Sequence, residues 1–251
     1  MLAKPFETDS SQSVSHEKKQ SRSGRWFFQI GAVAAIVGSL LGLVGNLIHP
    51  ATTGLDTNAV AHVIALSEAW TAIHLLIVVG LIFMLGGLVA ICSSIKGELA
   101  GTLAQLGYVA VIAGITVGLI TVILDGVGAK HIADAWAAAP PDEKAAALRI
   151  LQAEEILNFA LASLFNILFA GVTFILLGLA VTLSQVYPRW LGWIVVVAGL
   201  GSIVAGLIQA NTGESTSVTR ILTIIFPTIL TLWTAVLGVL LFRMASSLDS
   251  E

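Results

Sequence analysis

The sequence predicts an all-α, polytopic membrane protein: six transmembrane helices arranged as three related helix hairpins in one bundle. Three observations predict it. Of the 251 residues 57% are hydrophobic and only 11% charged, where soluble domains carry about 25% charged residues. The charges are clustered and leave long uncharged runs, and about 20 apolar helical residues suffice to cross a hydrocarbon core of about 30 Å. Finally, one frame of sequence recurs. "LGYVAVIAG" at Leu106–Gly114 and "LGWIVVVAG" at Leu191–Gly199 agree at five of nine positions, and "QIGAVAAIVG" at Gln29–Gly38 repeats the frame faintly.

Residues 1–25 are polar and Ser-rich, with Lys18, Lys19, Arg22 and Arg25 close together. Such a segment buries too little surface to offset its ordering entropy, which predicts a disordered basic cytoplasmic tail. A basic cluster before an apolar run resembles a signal-peptide start. The run Trp26–Ile48 is too long for that and is followed by no small-residue cleavage site, so it reads as a retained first span. The remaining spans are expected at Trp70–Ser93, Leu103–Leu124, Asn158–Ser184, Trp190–Gln209 and Ile221–Phe242, within a six-helix transmembrane domain over residues 26–245. Residues 246–251 form a short second cytoplasmic tail. The fourth run exceeds what a bilayer needs and must tilt or project beyond it.

Lys and Arg in the flanks set orientation. Lys4, Lys18, Lys19, Arg22, Arg25, Lys96, Arg189 and Arg243 fall on the side of the tails, against Lys130, Lys144, Arg149 and Arg220 opposite. Eight of the twelve on one side place both termini in the cytoplasm. The trans side then holds loops at His49–Ala69, Asp125–Leu157 and Ala210–Arg220. In the first, Asp56 or Thr57 is a candidate N-cap for a short helix leading into the second span. In the second, "PPDEKAAALRILQAEEILN" opens with proline and acids, as helix N-termini do, and meets no breaker before the fourth span.

The recurring frame places Gly31, Gly107 and Gly192 near the cytoplasmic start of each odd-numbered span, each with glycine again seven residues later. Two turns of helix separate the members of each pair, so they share a face. The even-numbered spans each carry a Leu-Gly step, at Gly86, Gly178 and Gly238. Small residues let helix backbones approach closely in lipid, where hydrophobicity does not separate lipid from protein contact. In the sixth span Thr223, Pro227, Thr231 and Thr234 share a stripe, and the proline predicts a kink.

Followed outward, two glycine stripes end on ionisable residues: Gly38, Gly42, Gly45 and His49 in the first span, and Gly114, Gly118, Thr121 and Asp125 in the third. His74 lies one turn after Trp70, and Asn166 lies in the fourth span. Polar groups at membrane depth face a bundle interior or cavity more often than lipid. A trans-side polar pocket lined by His49, His74, Asp125 and Asn166 is therefore one reading. The plainer one ends two helices at the headgroups with His49 and Asp125, while His74 and Asn166 bond neighbouring helices. Four histidines, His49, His62, His74 and His131, lie on that side, but their spacing forms no dense ligand motif, and neither metal nor haem is predicted. Nor does the chain contain G-x-S-x-G, H-E-x-x-H or a P-loop, so no catalytic residues are assigned. Glu154 and Glu155 read as solvated charges ahead of the fourth span. The lone Cys92 reads as a small apolar packing residue. A net charge of −3 leaves no basic footprint for nucleic acid.

The stretch "YPRWLGWIVVVAGLGSIV" (Tyr187–Val204), preceded by "FILLGLAVTLSQ", resembles a family of bacterial six-helix membrane proteins defined by a domain of unknown function. "NAVAHVIALSEAW" is similar to the short helix before the second span in that family. The resemblance implies the six-helix topology and a bacterial plasma membrane, and carries no activity. Three functions are expected, in this order. The first is binding or transport of a small or lipid-like molecule through the trans-side pocket. The second is a structural or regulatory subunit, homo- or hetero-oligomeric, whose glycine faces meet partner helices and whose basic tail meets anionic lipid. The third, well behind, is a membrane enzyme using His74 and Asp125 as acid and base.

Overall fold

The computed structural model describes residues 10–214 and 216–247, with side chains from Gly24 onward. These residues form nine α-helices and two π-helical segments, and no strand occurs among them. In order they are α1 (Ser10–Ile48), α2 (Thr57–Leu66), α3 (Trp70–Ser94), α4 (Glu98–Ile123), the segment π1 (Leu124–Ala129), α5 (Lys130–Ala138), α6 (Lys144–Phe165), the segment π2 (Asn166–Thr173), α7 (Phe174–Leu183), α8 (Arg189–Thr212) and α9 (Ser217–Ser247). Six helical stretches are long and apolar enough to cross a membrane: Gly24–Ile48, Trp70–Ser94, Glu98–Ala138, Lys144–Leu183, Arg189–Thr212 and Ser217–Ser247. The chain is an all-α bundle of six membrane-length helices.

The flanking segments are more helical than the loops and tail drawn from the sequence. The first helix begins at Ser10, inside the stretch expected to be disordered. Between Ser10 and Ser23 there is neither Pro nor Gly to stop it, and extending an existing helix costs far less than nucleating one. The rest of that expectation, residues 1–9, lies outside the described residues, as do residues 248–251 of the second tail. In the outer segment Asp125–Leu157 the helix expected from the Pro-Pro-Asp-Glu start is present, and the part before it is helical too. The third span continues through π1 into α5, the chain turns at Ala139–Glu143, and α6 runs unbroken into the fourth span. The Pro140-Pro141 pair supplies the turn, since neither residue can donate to a continuing helix.

Neighbours in sequence are neighbours around the bundle, and the ring closes where α9 packs on α1. Its seams are made by glycine. A Cβ on Gly114 would lie 2.7 Å from Phe169 Cα, and one on Gly238 would lie 2.9 Å from the Ala32 carbonyl oxygen. The recurring frame is used in two ways. In the first two hairpins its glycines face their own hairpin partner: Gly38 meets α3 and Gly114 meets π2. In the third, Gly192 and Gly199 turn to the preceding span, meeting Gly178 and Gly171, while Gly201 meets Phe226 of α9.

The end of the bundle opposite the two tails, called the cap end below, has its own small core. Asp56 caps α2 by accepting from the Ala59 amide at 2.8 Å. Helix α2 lays Val60, Ala61 and Ile64 against Trp70, Ala133, Trp136 and Leu151. Two lysines close this layer by donating to helix C-terminal carbonyls, Lys130 to Ala65 and Lys144 to Trp136 and Ala137. Helix α9 is continuous through Pro227.

Candidate functional site

Beneath the cap, the six spans leave a central cavity of about 350 Å³. Its walls come from every span: Gly42 and Asn46 of α1, Ile77 and Met84 of α3, Val122 of α4, Phe165 and Phe169 of the fourth span, Gln209 of α8, and Thr223 and Pro227 of α9. All four residues predicted to form a polar pocket, His49, His74, Asp125 and Asn166, line it. Phe165 and Phe169 stack with ring centroids 5.0 Å apart, and Phe169 meets Phe174 edge-on at 5.4 Å, making an aromatic wall.

The two π-helical segments place the polar groups from the two longest helices. Asp125 is the second residue of π1 and Asn166 the first of π2. Widened turns of this kind interrupt α-helices and recur at functional sites. In π1 the sequence Asp125-Gly126-Val127-Gly128 permits it, and Gly126 leaves room for the His74 ring to lie against its backbone. In π2 the Thr173 hydroxyl donates to the Leu168 carbonyl five residues back, at 3.1 Å. Asn166 then donates to the Gln209 side-chain oxygen across the bundle at 3.3 Å.

At the cap end of the cavity His49, His74 and Asp125 converge. His74 Nε2 lies 3.1 Å from His49 Nε2 and 3.2 Å from Asp125 Oδ2. Each ring is fixed from behind through a backbone carbonyl, His49 Nδ1 on Pro50 at 2.8 Å and His74 Nδ1 on Trp70 at 2.7 Å. A carbonyl only accepts, so both Nδ1 atoms carry hydrogen, and a neutral ring then presents a bare lone pair at Nε2. Two lone pairs and a carboxylate therefore face one another. Among the described residues no lysine, arginine, hydroxyl or amide donates to these three atoms. Positive charge at the centre, a shared proton or a metal cation, would satisfy all three groups.

The surroundings hold the cluster in place. Trp70 Nε1 donates to the Asp125 backbone carbonyl at 2.9 Å, and the Thr71 hydroxyl donates to Gly126 at 2.9 Å, tying the start of α3 to π1. The Trp70 ring lies 4.9 Å from both imidazoles. His74 is only 2% exposed. Burial lowers the pKa of His49, which stands just past the first span. The Asp125 carboxylate opposes that shift, and His74 adds to it.

The structure corrects the reading of Glu154. It is 6% exposed rather than solvated, and its Oε1 is buried without a hydrogen-bond partner, as is Oδ1 of Asn158 one turn later. Helix α6 is not a free prelude to its span, because α2 and α5 fold over it. Glu154, Asn158, Ala162 and Asn166 stand four residues apart, and the last two line the cavity, so one stripe leads from the buried acid into the chamber. The Asp-Gly-x-Gly sequence of π1 inside an apolar run is the signal that marks the other wall. His62 and His131 do not join the cluster. His62 packs on Trp136 with ring centroids 4.7 Å apart, and His131 is exposed.

Compared with known proteins, the chain matches no family model, no curated protein and no solved structure.

Proposed function

We propose that this membrane protein binds or moves a small or lipid-like molecule through its central cavity, entering from the cap end. The observation that carries this reading is the cavity itself, a polar cluster at one end of an apolar and aromatic chamber to which all six spans contribute. Its volume of about 350 Å³ lies at the lower end of the roughly 300–1,000 Å³ typical of small-molecule sites. A ligand with one polar head and a short apolar body fits that division. The subunit reading loses support, because the glycine faces it would offer to partner helices are spent on seams within the bundle. The enzyme reading retains one requirement, the approach of His74 to Asp125. Yet His74 Nε2 faces His49 as well as the acid, which leaves no free base lone pair aimed into the chamber.

The proposal includes orientation, with the cap outside a plasma membrane and both termini in the cytoplasm. The Lys/Arg asymmetry supports it, and two of the four cap-side cations are already accounted for as helix C-caps. Native Cys92 is buried, so a cysteine placed at Thr57 or Gly213 reports alone. Both should react with an impermeant maleimide on intact cells, and reaction only after membrane disruption overturns the orientation. For the ligand, the protein is purified in native lipid patches and its small molecules are identified by mass spectrometry. A Cβ at Gly42 would meet nothing within 4 Å, so Gly42→Phe should fill the chamber and expel the bound molecule from a protein that still folds. An unchanged small-molecule profile, or none above the lipid background in the parent, ends this reading.

A further inference from the structure

We propose that His49, His74 and Asp125 form a binding site for a divalent transition-metal ion of the zinc class at the cap end of the cavity. The proposal does not depend on the ligand reading, since the cluster is complete whether or not a molecule occupies the chamber below it. It replaces the expectation from sequence that no metal site exists. That expectation rested on ligand spacing along the chain, and these ligands come from three different spans, His49 from just past the end of the first.

Geometry is the first support. The candidate ligand atoms all lie within 4.8 Å of one another, with neighbouring separations of 3.1 and 3.2 Å. Zinc–nitrogen and zinc–oxygen bonds of about 2.0–2.2 Å in a tetrahedron hold ligand atoms roughly 3.3–3.6 Å apart. Small movements of the Asp125 side chain, which is 28% exposed, bring the third ligand in. Orientation is the second. Metal-bound imidazoles donate their other N–H to a carbonyl or carboxylate, which fixes the tautomer and aims the lone pair. Both rings here do so, through Pro50 and Trp70.

Charge is the third support. His74 is buried, and its Nε2 meets the His49 Nε2 and the Asp125 carboxylate with no lysine, arginine, hydroxyl or amide donating to the three among the described residues. A cation between them satisfies all three, where an unpaired buried polar group is costly. Two imidazoles and one carboxylate suit zinc and its neighbours rather than magnesium or calcium, which prefer oxygen. The cluster lines the cavity, so the fourth coordination position opens onto the chamber and remains available to water or to a ligand's polar head.

Cobalt(II) tests the site, because tetrahedral cobalt absorbs visibly and zinc displaces it. The full chain, purified with a tag that contains no histidine and stripped with chelator, is titrated with cobalt and then zinc. One equivalent of cobalt should give tetrahedral bands that zinc abolishes. His49→Gln, His74→Gln and Asp125→Asn should each weaken binding by about 100-fold or more, since even partners behind the ligands are worth about 10–100-fold. His131→Ala, on the exposed arm, should bind like the parent. If the parent binds no stoichiometric cobalt or zinc, the site holds a shared proton and the proposal is overturned. That result needs no variant to fold. Binding lost equally in His131→Ala, or retained in all three cluster variants, also overturns it. None of these outcomes alters the Gly42→Phe test of the chamber.

Discussion

Gly38 and Gly42 stand one turn apart on α1, yet they belong to two differently built halves of the molecule. A Cβ at Gly38 would lie 2.8 Å from the Gly80 carbonyl oxygen and 2.9 Å from Met84 Cα, whereas one at Gly42 would meet nothing within 4 Å. Toward the tails, the spans close on one another backbone to backbone, and buried Leu177, Val181, Val195, Leu237 and Leu241 fill the interior. Toward the cap, the same apolar helices enclose a chamber, widened at π1 and π2 and edged with imidazole and carboxylate. Gly45, Gly118 and Gly206 still make close contacts around it, while Gly42 faces open space. Lipid permits both because it solvates Leu as well as a neighbouring helix does, so separation of helices is decided by backbone approach and by polar pairing.

The largest effect expected from this contrast is steric. Gly114→Leu and Gly199→Leu insert bulk where a Cβ would lie 2.7 Å from Phe169 Cα and 3.0 Å from the Gly171 carbonyl oxygen. Overpacking of this kind costs about 1–3 kcal/mol and sometimes more, and backbone on the far side cannot rotate away, so both variants should fall at the upper end or fail to accumulate. Gly42→Leu should stay within about 1 kcal/mol of the parent, gaining helix propensity of similar size. Thermal unfolding in detergent, followed by size-exclusion chromatography, measures all three. Equal losses for Gly42 and Gly199 would mean that the chamber closes in the membrane and the two halves are alike.

A smaller effect tests how the cap holds the open half. Trp70→Phe removes the N–H that donates to the Asp125 carbonyl together with part of a buried indole, loosening the tie between α3 and the widened turn. Such a loss costs about 1–3 kcal/mol. The melting temperature should fall, and hydrogen exchange should quicken in π1 and α5 before it does in α7 and α8. Uniform quickening would show that the cap and the bundle unfold as one unit and that the contrast is only one of shape.

The two halves also differed in how far the sequence disclosed them. The closed half was legible, because glycine at two-turn spacing in apolar runs has few uses other than contact. Membrane thickness fixed the number of spans, and of the two candidate caps, Asp56 and Thr57, the structure uses Asp56. The four polar residues His49, His74, Asp125 and Asn166 stood out because they lie at helix ends or within spans where such groups are costly, but the sequence left a shared pocket and separate helix-end roles both open. Their convergence was not legible, because three helices must meet before the ligand atoms face each other. Glu154 was misread for a related reason. On a helix drawn alone it is a surface acid beside Glu155, and only the fold of α2 and α5 over α6 removes it from water. The turn of Gly192 and Gly199 toward the preceding span was equally hidden, since a glycine stripe shows that a face is close-packed without naming the helix that meets it.

The smallest expected effect concerns a polar pair in the closed half, where charge is excluded rather than gathered. Tyr187, in the turn between α7 and α8, is 4% exposed, and its hydroxyl lies 2.7 Å from Ser94 Oγ at the end of α3. The Ser94 hydrogen is committed to the Ile91 carbonyl at 2.7 Å, so the phenol donates to the serine. Burial pushes the Tyr187 pKa up to about 12. An unfolded tyrosine ionises near pH 10. Below about pH 10 both states keep the proton and Tyr187 adds no pH dependence. Between about pH 10 and 12 the unfolded state releases it first, so stability falls as pH rises. Tyr187→Phe should lower stability at neutral pH by about 0.5–1.5 kcal/mol, the worth of one neutral hydrogen bond, and should remove that alkaline decline. Melting temperatures of parent and variant between pH 7 and 11.5 should therefore converge as pH rises. A constant gap across that range would mean that the phenol reaches water and that the closed half is less sealed than its glycine seams imply.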